Sequence, residues 1–197
     1  MDGRIYPVIV NTLKMKNINL DIDYPQVTCL MNLNVQKIIN RTIINTVYML
    51  IQEQGFYEEM DGTYELKNND KGVLSIVLIN YSFAGGAHGN TIAKALNFDI
   101  ETGHVYTLPE LFKPNSNYVK KISDIIKVQI KARDLPTLGD FTEINPNQDF
   151  YIADRSLVIF FQLYEITPYY IDIPYFPISI YELEDIINEN GPLQRMF

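Results

Sequence analysis

The hydrophobic pattern along the chain switches between a period of two and a period of three to four. Val8, Val10 and Thr12, with Leu13 and Met15, predict an opening strand, and Ile18, Leu20 and Ile22 alternate to predict a second. Tyr24-Pro25 is expected to stop its pairing, because proline has no N–H to donate. From residue 33 to about residue 52 the apolar positions Val35, Ile38, Ile39, Ile43, Val47, Leu50 and Ile51 fall on one stripe of a helix. Asn32 or Asn34 is placed to cap it and Gly55 to stop it. Ile and Val are modest helix formers, so burial of the stripe has to supply the stability.

Turn signals then predict hairpins. Residues 56–66 read as a strand pair turned at Asp61-Gly62, a favoured tight-turn dipeptide. Asn68-Asn69-Asp70-Lys71-Gly72 reads as a second turn leading into a strand over 73–83. A strand over 91–100 ends in Glu101-Thr102-Gly103, where glycine supplies a positive φ. Val119, Ile122, Ile126 and Ile130 predict a second amphipathic helix, capped by Asn115 or Ser116. Residues 134–148 read as loop, 150–152 and 156–163 as a hairpin about Asp154-Arg155, 175–180 as a last strand and 181–188 as a short helix. The order predicts an α+β fold: antiparallel sheet with two long helices and a short C-terminal helix packed on one face. A boundary near residues 68–72 divides it into sub-domains 1–70 and 71–197, packed as one unit.

Composition narrows the function classes. The 197 residues suit one domain or two small ones, and 16 basic against 24 acidic residues give a formal charge of −8. That balance argues against nucleic-acid binding. A 47% apolar and 20% charged composition excludes a disordered chain. One cysteine, Cys29, excludes an internal disulfide framework, and its apolar neighbours predict a buried, inert thiol. The N-terminus has no basic start leading into an apolar stretch, and no segment approaches the roughly 18 apolar residues of a membrane helix. Cytoplasm is the default location, or an extracytoplasmic one if the chain is a fragment of a longer precursor.

Candidate chemistry is sparse. The two histidines, His88 and His104, flank the strand over 91–100, and ten strand residues span about 33 Å, too far to share a metal or a proton. Neither a zinc nor a calcium spacing occurs, and neither metal nor cofactor is expected. Gly85-Gly86-Ala87-His88-Gly89-Asn90 has the glycines of an anion loop, but Asn90 stands where a phosphate loop needs lysine. Its simpler reading is a sharp reversal pinned by His88. No G-x-S-x-G nucleophile motif is present. The carboxylates Glu58-Glu59-Asp61 and Glu182-Glu184-Asp185 read as solvated faces, as do Lys120, Lys121, Lys127, Lys131 and Arg133 on the second helix. Fourteen tyrosines and no tryptophan are an unusual tilt, concentrated in Tyr164-Glu165-Ile166-Thr167-Pro168-Tyr169-Tyr170 and Pro174-Tyr175-Phe176-Pro177. Proline-fixed tyrosines suit an interface, and they equally suit a core closed under a loop.

Six short segments carry a family resemblance. Residues 82–90 (SFAGGAHGN), 98–103 (FDIETG) and 107–112 (TLPELF), followed by 160–169 (FFQLYEITPY), resemble the RsiV-type extracytoplasmic domain of unknown function. Tyr24-Pro25-Gln26-Val27 and the helix around Ile38-Ile39-Asn40 are similar to the companion domain at the start of PdaC-type peptidoglycan deacetylases. Together the resemblance covers about residues 15 to 185 and makes 1–70 the PdaC-type and 71–197 the RsiV-type sub-domain. It implies an α+β domain used outside catalysis, which binds lysozyme in the anti-sigma factor and accompanies a separate catalytic domain in the deacetylase.

The resulting expectation is a non-enzymatic recognition module for a lysozyme-like protein or a cell-wall ligand. Its binding residues are Gly85, Gly86, His88 and Asn90 in one loop and Tyr164, Glu165, Tyr169 and Tyr170 in another. An acidic chain favours a basic partner. The alternatives are a cell-wall glycan hydrolase with Glu165 and His88 as acid and base, and an intracellular scaffold or oligomer subunit whose aromatic segment is a self-contact.

Overall fold

The computed structural model describes residues 7–197; the reading of the first six residues as lacking a basic leader lies outside them. The chain divides into two compact units, the first ending at Val105 and the second running from Tyr106 to Phe197. The fold is α+β, with a five-stranded sheet, a three-stranded sheet and two helices.

The first unit holds β1 (Ile9–Lys16), β2 (Leu20–Thr28), α1 (Leu33–Gln54), β3 (Glu59–Asp70), β4 (Val73–Phe83) and β5 (Asn90–Asp99), in sheet order β1-β2-β3-β4-β5. Helix α1 follows its stripe closely: Val35, Ile39, Ile43, Val47 and Leu50 are buried, with Thr46 between them. Asn32 caps it, accepting from the Asn34 and Val35 amides, and Gly55 ends it at φ 70°. The stripe packs with Leu20, Ile22, Met60, Leu74, Ile76, Leu78, Leu96 and Phe98 into one core.

Four expectations differ here. Pro25 lies inside β2, opposite Thr12 of β1. The parallel β2–β3 pairing covers only Leu20 to Ile22, so beyond it β2 has one ladder to serve and a residue without an N–H is tolerated. Asp61-Gly62 does not turn a hairpin but sits within continuous β3, opposite Tyr81 and Asn80. Gly62 is there for space: a Cβ on it would come within 2.6 Å of Ile22 Cγ2. The hairpin turn is Lys71-Gly72, with φ values of 51° and 79°, and the boundary expected at residues 68–72 falls on this turn, inside the first unit. Cys29 is exposed at φ 62°, because it lies in the connection between β2 and α1, outside the sheet ladder.

Asparagine amides complete the strands where pairing stops. Asn40 accepts from the Val27 N–H and donates to the Val27 carbonyl, both at 2.8 Å. Asn69 does the same for Val8, at 2.9 and 2.8 Å. Each reproduces the donor–acceptor pair of a missing strand, so the buried backbone is satisfied.

The second unit holds α2 (Tyr118–Ala132) and an antiparallel sheet of β6 (Phe150–Ala153), β7 (Ser156–Phe160) and β8 (Tyr175–Ser179). Helix α2 buries Ile122, Ser123 and Ile126 and is fastened to β8 by Gln129 Nε2 donating to the Pro177 oxygen at 2.7 Å. Its basic residues are not all solvated: Arg133 donates to the Tyr175 oxygen at 2.9 Å and covers the Phe176 ring, while Lys121 pairs with Asp185. The short helix expected at 181–188 is replaced by a 3₁₀ turn at Ile180–Glu182 and further turns. The backbone there is pulled elsewhere: the Lys113 N–H donates to the Ile186 oxygen and the Asn188 N–H to the Leu111 oxygen, bridging Phe112 to Ile187.

Candidate functional site

The glycine loop joins β4 to β5 over residues 84–89. Gly85 and Gly86 adopt φ of 84° and 109°, which only glycine takes without strain, and both are exposed with His88 and Asn90. Gly89 is buried for another reason, since a Cβ there would lie 2.2 Å from the Tyr81 ring. The His88 Nδ1 lies 2.9 Å from the Gly89 carbonyl oxygen, which fixes the imidazole over the turn.

Asn90 is tied into the base of the loop. Gln54, the last residue of α1, accepts from Ser82 Oγ at 2.8 Å and Asn90 Nδ2 at 3.0 Å, and donates to the Asn80 and Asn90 main-chain oxygens. One amide therefore clamps the ends of two strands. The pattern of apolar positions carried no sign of it, because Gln54 lies at the helix end, outside the stripe.

Beside the loop lies a polar groove of about 580 Å³, lined by the β1–β2 turn with Asn17, Asn19 and Asp21, by Glu58, Glu59 and Asp61 of the β3 region, and by Phe83. Glu58 borders both features: a Cβ placed on Gly85 would come 3.7 Å from its Oε1. The Glu58 N–H donates to the Phe83 oxygen at 2.7 Å, which anchors it to the end of β4. Asp21 is held by Lys14 and Lys16, whose hydrogen bonds keep its carboxyl below the ordinary aspartate value and raise Lys14 in return. These carboxylates, read from sequence as a solvated turn, thus line a concave surface. The missing signal was tertiary, because the β1–β2 turn that faces them is some forty residues away in sequence.

The tyrosine segment belongs to the second unit. Tyr164 sits at φ 62° and is 51% exposed, its ring stacked on Tyr169 at 5.7 Å between centroids, and Tyr170 is 74% exposed. Glu165 holds the turn: its carboxylate accepts from the Gln162 N–H at 2.7 Å and from Gln148 Nε2 at 3.0 Å. Other aromatics expected at an interface are core, since Phe176 is fully buried and meets Phe161 edge-on at 5.6 Å.

His88 lies in the first unit and Glu165 in the second, and each is engaged locally. His88 and His104 stand at opposite ends of β5. Among the described residues no group of three or more His, Cys, Asp or Glu is placed to hold a metal ion. No helix among them is long and apolar enough to cross a membrane.

Comparison with known proteins divides the chain in a similar way. Residues 12–91 match the family model described as deacetylase PdaC, and residues 109–181 match a protein family of unknown function, DUF3298. The glycine loop and the groove fall inside the first match, the tyrosine segment inside the second. The chain is 26% identical over 140 residues to the peptidoglycan-N-acetylmuramic acid deacetylase PdaC of Bacillus subtilis, covering 66% of this chain and 30% of that protein. It is 29% identical over 124 residues to the esterase Rv3036c of Mycobacterium tuberculosis, covering 57% of this chain and 53% of the esterase. The chain thus spans 30% and 53% of the lengths of these two relatives. Two solved structures share the fold: a DUF3298 member from Bacteroides fragilis (TM-score 0.75, 13% identity, 98% of this chain and 99% of that one) and a DUF3298 protein from Pseudomonas aeruginosa (TM-score 0.71, 16% identity, 100% and 97%). The expectation of a non-enzymatic module is corrected by these relatives, which are named as a deacetylase and an esterase. The PdaC-type part of the pairing that the sequence segments suggested is found, while the segment expected to be RsiV-type matches the DUF3298 family of unknown function.

Proposed function

We propose that this chain serves an extracytoplasmic hydrolase that removes acyl groups from cell-wall glycan, and that the glycan lies in the polar groove beside the glycine loop. The observation that carries the reading is the groove itself, with about 580 Å³ of space and a lining rich in carboxylates and amides. Such groups pair well with sugar hydroxyls, which both donate and accept. Support comes from the deacetylase model, whose matched residues 12–91 contain the whole groove lining. Deacetylase and esterase also describe one type of step, hydrolysis at an acyl carbonyl.

In this reading the carboxylate partner of His88 is Glu58, which borders the loop within the same unit. Glu58 takes the proton of a water whose oxygen bonds to the acyl carbonyl carbon. His88 gives a proton to the sugar oxygen or nitrogen as its bond to that carbon breaks. Glu165 keeps its structural role at the turn it caps.

Release of acetate from acetylated glycan oligomers by the full chain tests the reading. Glu58→Gln and His88→Ala are each expected to lower turnover by about 10²–10⁴-fold, the usual contribution of a general acid or base. Absence of acetate release, or unchanged turnover in both variants, overturns it.

A further inference from the structure

A second hollow in the first unit has the opposite chemistry to the groove. It is a crevice of about 300 Å³ between the β1–β2 hairpin and the flank of α1. Leu13, Tyr24, Pro25 and Ile44 supply its apolar lining. Asn40 also lines it, but its amide is spent on the Val27 backbone and contributes nothing free. The remaining charge is Arg41, exposed and three residues before Ile44, so both lie on one helix face. Among the described residues the Arg41 guanidinium has neither an ion pair nor a hydrogen bond. Lys14, Lys16, Lys113, Lys120, Lys121 and Lys127 each meet a carboxylate, whereas the Arg41 charge stays available at the edge of the crevice.

We infer that this crevice binds a small amphiphilic carboxylate, a free acid whose apolar tail enters between Leu13, Tyr24 and Ile44 while its carboxylate meets Arg41. Two independent features select this class. The space is at the lower end of the range for small-molecule sites, and its lining is mainly apolar, with the Gln26 amide and the Tyr24 hydroxyl as its other polar groups. The planar guanidinium at its edge matches a carboxylate in two parallel hydrogen bonds, which strengthen beside apolar walls. An amine would meet like charge there, and a neutral alcohol would leave the guanidinium unmatched. The inference does not depend on the hydrolase reading, since it uses neither the groove nor the glycine loop.

The test is a heteronuclear NMR titration of the full chain with octanoate, alongside acetate, octanol and a short peptide ending in an apolar residue with a free carboxylate. The expected result is saturable octanoate shifts centred on Leu13, Tyr24 and Ile44, with octanol and acetate each at least about tenfold weaker. Arg41→Gln, at an exposed position, is expected to weaken octanoate by about tenfold or more, and Arg41→Lys by less. Unsaturable shifts, equal binding of octanol, an unchanged affinity in Arg41→Gln, or tighter binding of the peptide than of octanoate would each overturn it.

Discussion

Gln54 Oε1 accepts from Asn90 Nδ2 at 3.0 Å while Gln54 Nε2 donates to the Asn90 main-chain oxygen at 3.2 Å, so two side-chain amides bind the end of α1 to the start of β5. The same glutamine also holds Ser82 and Asn80 of β4. The glycine loop is therefore held at both of its ends. Gln54→Leu is expected to cost about 1–3 kcal/mol in denaturant unfolding, because Ser82 and the Asn80 carbonyl lose their partner at a buried position. Hydrogen exchange of the amides in residues 84–90 should quicken as well. Unchanged stability would mean that water replaces the clamp at no cost.

Gly62 tests the difference between a turn glycine and a spacing glycine. Gly62→Ala pushes a methyl into Ile22 and is expected to destabilise by about 1–3 kcal/mol. In a double-mutant cycle with Ile22→Ala, part of that penalty should vanish, since the clash is removed. Strict additivity would show that the strain lies in the β3 backbone.

Glu165 is assigned to architecture. Glu165→Ala is expected to lower stability by about 1 kcal/mol and to loosen the Tyr164–Tyr169 stack, read as a loss of near-ultraviolet dichroism from tyrosine. In the acetate-release assay its effect on turnover is expected to stay far below that of Glu58→Gln. A loss as large as that of Glu58→Gln would return Glu165 to the list of acid–base groups.

Asp185 supplies a pH dependence of known sign. Its hydrogen bond to Lys121 holds the carboxyl below the ordinary aspartate value. A depressed folded pKa means that the unfolded chain binds the proton more readily, so the pair stabilises above the unfolded value and the gain is lost as pH falls through the folded one. NMR titration should place the Asp185 midpoint below that of a free aspartate, and Lys121→Met should return it upward. The pair is exposed, so salt should erode the shift.

Helix α1 was legible because one stripe, one asparagine cap and one glycine stop all agree, and each acts within a few residues. The Lys71-Gly72 and Asp154-Arg155 turns were legible for the same local reason. Asp61-Gly62 misled because the dipeptide has two uses, a turn or a place for a neighbour, and Ile22 is the neighbour. Residues 181–188 misled because Leu183 and Ile187 carry helical spacing while the neighbouring Ile186 carbonyl accepts from the Lys113 N–H and the Asn188 N–H donates to the Leu111 oxygen. Of the eight expected binding residues, seven are exposed and Tyr169 is half-buried against Tyr164, while Asn90 is also tied to Gln54 of α1 and Glu165 to Gln162 and Gln148.

Sequence by itself determined the α+β class, the long helices and most strands, since all of these follow from side-chain periodicity and local backbone preference. Only the tertiary structure decided which carboxylates face a hollow, that Arg41 stands at the edge of an apolar crevice, and which glycine is required by a side chain from another strand. Those are relations between residues tens of positions apart, and no local propensity encodes them. They are set when burial of the α1 stripe brings the β1–β2 hairpin, β3 and the end of β4 to one place.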